Sequence, residues 1–133
     1  MKTGEFVYAR THAELLNELL GTNYKAWMKS SIMLPDGKRL WMIRLENVAS
    51  DSGWKNQLVS ADRIEEKIVG ELKFAGHGTA FGSGKYFEDR VVFDLVPFGS
   101  HRKYVFRGVF RINLELSSVN KNVWDKILDE YTL

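Results

Sequence analysis

Lys103, Arg107 and Arg111 punctuate a run, His101–Asn113, that contains no acidic residue. Read as a strand, it puts Lys103, Val105, Arg107, Val109 and Arg111 on one face, with His101 and Arg102 at its edge. Tyr104, Phe106, Phe110 and Ile112 take the other face, with Gly108 among them. The aromatic face belongs in a core. The cationic face could follow a phosphate backbone, with an affinity that falls steeply with salt. The alternative is a solvated face whose charges pair with a neighbouring strand. Glu88, Arg90 and Asp94 alternate on the preceding run, so Glu88 and Asp94 decide between the two readings.

A second cluster is the glycine-rich stretch Gly76-His77-Gly78-Thr79-Ala80-Phe81-Gly82-Ser83-Gly84. Glycines let a backbone approach a ligand closely and expose its amides. The stretch fails as a P-loop, because Thr79 stands where the first glycine is needed and Tyr86 replaces the hydroxyl residue. It fails as a dinucleotide loop because Phe81 replaces the third glycine. What remains is His77, Thr79, Phe81, Ser83, Lys85 and Tyr86, groups that could surround a planar base. A plain hairpin loop with one buried aromatic is the other reading. Trp54, beside Gly53 and Lys55, is the best tryptophan for an exposed stacking platform. Trp41 and Trp124 lie on apolar stripes and read as core, and Trp27 is open.

Catalytic patterns are sparse. Pro35-Asp36 followed by Glu71-Leu72-Lys73 formally fits a metal-dependent nuclease, with Asp36 and Glu71 holding Mg²⁺ and Lys73 assisting the attacking water. Pro35-Asp36 is better explained by a turn, and Glu65-Glu66-Lys67 fits the second half equally well. His12, His77 and His101 lack metal-ligand spacing, and no serine stands in a G-x-S-x-G elbow. The reading assigns no catalytic residue, no metal and no cofactor.

The elements that must position these groups follow from pattern. Glu5–Ala9 reads as a short strand. Thr11-His12-Ala13-Glu14 is a capping box for a helix over 11–20, with Leu15, Leu16, Leu19 and Leu20 on its apolar stripe and Gly21 at its stop. His12, in the first turn, is expected at the surface. Ala26–Leu34 and Arg39–Leu45 flank a Pro35-Asp36-Gly37-Lys38 turn and form a hairpin. Apolar residues on both faces of Arg39–Leu45 make it a central strand. Ser60–Val69 reads as a short helix or a run into the strand Glu71–Ala75. Tyr86–Val96 and Lys103–Leu114 form a second hairpin about Pro97-Phe98-Gly99-Ser100. Val119, Val123, Trp124, Ile127 and Leu128 suggest a last helix at about 118–130, capped by Ser117 or Ser118. The fold class is α+β, mostly β: a small twisted antiparallel barrel with helices at its ends, one domain over 1–133.

Composition bounds the rest. Hydrophobic residues are 44% and aromatics 13% of 133, enough for a core. There is no cysteine, which excludes disulfides, a thiol nucleophile and cysteine-based zinc sites, and fits a cytoplasmic location. The amino terminus lacks a signal-peptide run, and no stretch is long enough for a membrane span. Net charge is only +2, so any electrostatic argument rests on where the charges sit.

The run Arg102–Ile112, followed by Trp124-Asp125-Lys126-Ile127 and Glu130-Tyr131, resembles the end of PUA-like barrel domains, in particular the modified-base readers attached to some bacterial restriction nucleases. The resemblance covers the carboxy-terminal part of the chain. It implies a small twisted barrel that binds nucleic acid and holds a flipped base in an aromatic pocket. Such readers are not catalysts alone, so the chain would be a reader or one subunit of a system with a nuclease partner.

Three functions follow. The first is a nucleic-acid-binding module for DNA or RNA, plain or modified, in a bacterial or phage defence context. Trp54, Lys55, His77, Thr79, Phe81, Tyr86, Lys103, Arg107 and Arg111 would form its interface. The second is the metal-dependent nuclease. The third is a protein-interaction module acting through the same basic strand. Oligomeric state is open.

Overall fold

A computed structural model describes residues 1–45, 54–68, 87–118 and 121–133. It contains eight strands and one helix among these residues: β1 (Phe6–Ala9), α1 (His12–Leu20), β2 (Ser31–Met33), β3 (Arg39–Ile43), β4 (Trp54–Ser60), β5 (Arg63–Ile68), β6 (Arg90–Phe98), β7 (His101–Ile112) and β8 (Lys121–Leu128). Seven strands run β2-β3-β6-β7-β8-β5-β4 across one sheet, and β1 pairs with β7 off that path. All pairs are antiparallel except β3 with β6.

The helix is the one the capping box predicts. Thr11 Oγ1 accepts from the Glu14 amide at 3.1 Å, and Gly21 closes the helix with φ 66°. The Glu14 carboxylate pairs with Arg10 Nε at 3.0 Å instead of reaching back to the cap. The β2–β3 hairpin turns through Pro35–Lys38 with Gly37 at φ 87°, as its residues demand. Its first strand is shorter than the expected 26–34, covering only Ser31–Met33. β3 is a central strand, with β2 on one side and β6 on the other.

The expected last helix is a strand, and the segment read as either helix or strand is a strand too. Residues 121–128 form β8, between β7 and β5. Val123 and Trp124 are both buried there, because each face of the strand is covered. A strand buried on both faces loses its alternation, and its short apolar run then imitates a helical stripe. Ser117 serves this turn by accepting from the Val123 amide at 2.9 Å, not by capping a helix. Likewise 63–68 is β5, entered by a turn in which Ser60 Oγ accepts from the Asp62 amide.

Among the described residues the sheet is open and strongly curled, not a closed antiparallel barrel: β2 and β4 end its order. β3 and β8 are three strands apart, about 14 Å in a flat sheet. Yet Trp41 of β3 and Trp124 of β8 bring their ring centroids within 5.8 Å. Only a tight curl permits that contact. The outer, convex face packs Leu15 and Leu16 of α1 on Leu40, Met42, Val91, Phe93, Tyr104, Phe106 and Val109. The inner, concave face packs Trp41, Ile43, Ile64, Val92, Phe110 and Trp124, with Ile112 against them.

β7 passes between these two cores through a bulge. Val92 opposes Gly108 and Phe93 opposes Phe106, so Arg107 has no partner residue on β6. The extra residue shifts the alternation. Tyr104 and Phe106 therefore enter the outer core while Phe110 enters the inner one. The four aromatic and aliphatic positions expected on one face are split between both.

Candidate nucleic-acid interface

The concave face carries an unusual polar end. Arg90, 7% exposed, caps the tryptophan pair, its guanidinium 4.3 Å from the Trp41 ring and 4.2 Å from the Trp124 ring. A planar cation over two indoles at once is a strong cation–π arrangement in a dry site. Burial lowers the Arg90 pKa, and the Glu66 and Glu88 carboxylates oppose that fall.

One pleat beyond this stack, three strands contribute a polar row. Asn56 of β4 opposes Glu66 of β5, and Glu66 opposes Asn122 of β8. The adjacent row on the same face is Leu58, Ile64 and Trp124, part of the inner core. Glu66 Oε1 accepts from Asn122 Nδ2 at 2.9 Å and from Trp124 Nε1 at 3.3 Å. The carboxamide oxygens of Asn56 and Asn122 are buried and have no hydrogen-bond partner among the described residues, and the same holds for Glu88 Oε2. Each unsatisfied buried acceptor costs about 1–3 kcal/mol. The row thus holds two carboxamide oxygens with acceptor capacity to spare. It suits a ligand that brings N–H or O–H groups.

This end of the sheet gathers the start of β3, β6 and β8, the end of β5 and the start of β4. Ile68 and Phe87, which flank 69–86, therefore both stand at it. Arg39 anchors the rim, donating to Ser31 Oγ at 3.2 Å and to Glu88 Oε1 at 3.5 Å.

The basic strand behaves differently from its sequence pattern. Arg107, on the bulge, grips Asp94 on the concave face, with Nη2 at 2.8 Å and Nε at 3.2 Å from Oδ2. Arg111 makes two bonds of 2.9 Å to Asp89. Its neighbours Phe110 and Ile112 point into the inner core, so Arg111 takes the opposite side of the strand. Lys103 rests over the Phe6 ring at 4.1 Å. The three cations do not share one face, because the bulge turns the strand between them. Asp94 is one of the two acids expected to decide the pairing; Glu88 pairs with Arg39, and Asp89 takes Arg111.

Of the other expected interface residues, Trp54 opens β4 opposite Ile68, and Lys55 opposes Lys67. Alternation sets Lys55 on the face away from Asn56, near Lys67 and Lys121, which both pair with Glu65. His77, Thr79, Phe81 and Tyr86 lie outside the described residues, as do Glu71 and Lys73 of the nuclease pattern. Asp36 is held in its turn, accepting from Tyr131 Oη and the Lys38 amide. Those bonds lower its pKa, and burial with the Asp36 contact pushes Tyr131 up to about 12. Among the described residues no group of three or more metal-ligating side chains exists. None of their helices is long and apolar enough to cross a membrane.

Sequence reasoning missed Arg90, Asn56, Glu66 and Asn122 as a group. Their distances in the chain carry no motif. The one available signal was Asn122 beside Trp124, which a helical reading of that segment hid.

The family model described as the SET and RING associated (SRA) domain matches residues 1–133. The chain belongs to the SRA family. SRA domains are PUA-like modules that bind modified cytosine in DNA, which agrees with the resemblance carried by Arg102–Ile112. Among solved structures, this SRA domain is similar to the 5-hydroxymethylcytosine-specific restriction enzyme AbaSI, with a TM-score of 0.66 and 20% identity over 95% of this chain. The likeness is one of fold. The chain spans 40% of the length of that enzyme. No curated protein matches the sequence.

Proposed function

We propose that this SRA domain reads a modified cytosine turned out of duplex DNA, and that the base sits at the polar end of the concave face. The observation that carries this is the row Asn56–Glu66–Asn122, with two buried carboxamide oxygens lacking donors. Cytosine brings an exocyclic amino group, whereas thymine presents an oxygen at the same place. An acceptor row therefore favours cytosine and rejects thymine. A hydroxymethyl group on the base would bring one further donor. The Trp41–Arg90–Trp124 stack forms the floor that holds Glu66 and Asn122 in place.

Trp54, His77, Thr79, Phe81 and Tyr86 complete the wall in this reading. Its support is connectivity, since Trp54, Ile68 and Phe87 all stand at the same end of the sheet. Lys55, Lys103, Arg107 and Arg111 would lie towards phosphate; Arg107 and Arg111 would do so while paired to Asp94 and Asp89. The module would serve a restriction or defence system beside a nuclease. The fold it shares with a restriction enzyme of more than twice its length supports that.

Base turning is tested with 2-aminopurine placed next to the modified cytosine. Fluorescence should rise on binding as the neighbour loses its stacking partner. Binding with no rise would sink the flipped-base part of the proposal. A second test is a co-purification with candidate nuclease subunits; capture of none would leave the reader acting alone.

A further inference from the structure

At the far end of the same sheet face lies a patch that the base site does not use. β6 alternates Arg90, Val92, Asp94, Val96 and Phe98 on the concave side. Phe98 therefore shares a face with the tryptophan–arginine stack, about 26 Å along the strand. β1 sits on the other side of β7, with Phe6 opposite Val105 and Tyr8 opposite Lys103. Val7 and Ala9 turn into the outer core, so Phe6 and Tyr8 face outward on the concave side. Phe6, Tyr8 and Phe98 are 42%, 51% and 56% exposed. Their centroids are 5.0 Å apart for Phe6–Tyr8 and 5.3 Å for Tyr8–Phe98, so the rings form one continuous surface reaching over β7. Lys103 reaches over its Phe6 end, 4.1 Å from that ring, and pairs with no carboxylate among the described residues. His101 is at its rim, held by Ser100. Glu5, next to Phe6 in the chain, accepts from the Lys2 amide.

We propose that Phe6, Tyr8 and Phe98, with Lys103, form a second nucleic-acid contact, a stacking platform for a single strand. Aromatic side chains on neighbouring strands of an exposed sheet face receive successive bases without reading their sequence. The lysine among them supplies the phosphate contact. The charge of the strand complements the patch, because β7 carries no acid from His101 to Asn113. A single strand brings a phosphate with every base, so Lys103 gains a counter-charge wherever the rings are occupied. The inference goes beyond the base site and does not depend on it.

The test uses oligothymidine and an unmodified blunt duplex as probes, with Tyr8→Ala, Phe98→Ala and Lys103→Gln variants of the full chain. All three side chains lie at the surface, and thermal melting checks that folding is retained. Each aromatic variant should weaken oligothymidine binding about ten-fold. Lys103→Gln should lower the slope of log affinity against log salt by about 0.7. In the two aromatic variants duplex affinity should change less than the single-strand affinity, and the preference for modified over plain cytosine should be unchanged. Asn56→Leu, in the base site, should leave oligothymidine binding intact, which separates the two sites. Wild-type protein that ignores oligothymidine would overturn the proposal. So would variants that bind it as well as wild type, including the case where they alter only self-association in sedimentation.

Discussion

Arg107 closes two nitrogens on Asp94 from the unpaired position of a β-bulge, at 2.8 and 3.2 Å. The other Asp94 oxygen accepts from the Leu45 amide at 3.1 Å. One carboxylate thus ties β6 and β7 to the chain that leaves β3. The Asp94 side chain is 8% exposed and that of Arg107 is 31% exposed, so the pair is shielded on one side only. Asp94→Ala would leave the guanidinium partly buried and the Leu45 amide without its acceptor. We expect a loss of about 2 kcal/mol, less than for a fully buried pair because Arg107 can turn to water. Asp89→Ala, which removes the partner of a 60% exposed Arg111, should cost at most about 1 kcal/mol. Urea unfolding of both variants measures the contrast, and equal losses would refute it.

Gly108 holds the bulge open. Its φ is 117°, and an added Cβ would lie 2.8 Å from the Leu128 carbonyl oxygen, a backbone atom that cannot move aside cheaply. Gly108→Ala should destabilise the fold by about 3 kcal/mol from backbone strain and this contact. A melting temperature within a degree or two of wild type would contradict the geometry.

His12 is tied to the core by its Nδ1, 2.8 Å from Tyr104 Oη. Arg102 Nη1 donates to the same hydroxyl at 3.4 Å, which brings a guanidinium to the imidazole. Burial, and then Arg102, lower the His12 pKa below its ordinary value. The unfolded chain therefore takes up a proton first. Stability from this group is present above about pH 6.5 and is lost as pH falls below that value. Thermal melts from neutral to mildly acidic pH should show the decline, and His12→Gln should flatten it.

The Asn56 carboxamide oxygen is a buried acceptor without a donor. Asn56→Leu keeps similar volume and removes that cost. The variant should be as stable as wild type or more stable, by up to about 1 kcal/mol. It should also bind modified DNA about ten-fold more weakly. Loss of stability together with binding would mean that Asn56 is structural.

The parts legible in the sequence were those with local causes. Thr11 and Gly21 bound the helix, Pro35-Asp36-Gly37 set the first hairpin, and Trp41 and Trp124 read as core from their apolar neighbours. The Arg102–Ile112 run pointed to the right family. What was hidden depends on pairing between distant strands. The bulge at Arg107 splits Phe106 from Phe110, although simple alternation joins them, and nothing in the run itself except Gly108 marks it. β8 was mistaken for a helix because covering both its faces erased the period of two. Asn56, Glu66 and Asn122 meet only because β4, β5 and β8 are neighbours, an order no single stretch of sequence records.

The most direct measurement is anisotropy titration of duplexes identical except at one cytosine, left plain, 5-methylated or 5-hydroxymethylated. Wild type should bind at least one modified duplex about ten-fold or more tightly than the plain one. A Glu66→Ala, Asn122→Leu variant that is still folded should lose that preference while keeping its salt-dependent affinity for plain DNA. Equal affinity of wild type for all three duplexes, or a preference that survives in the variant, would contradict the account.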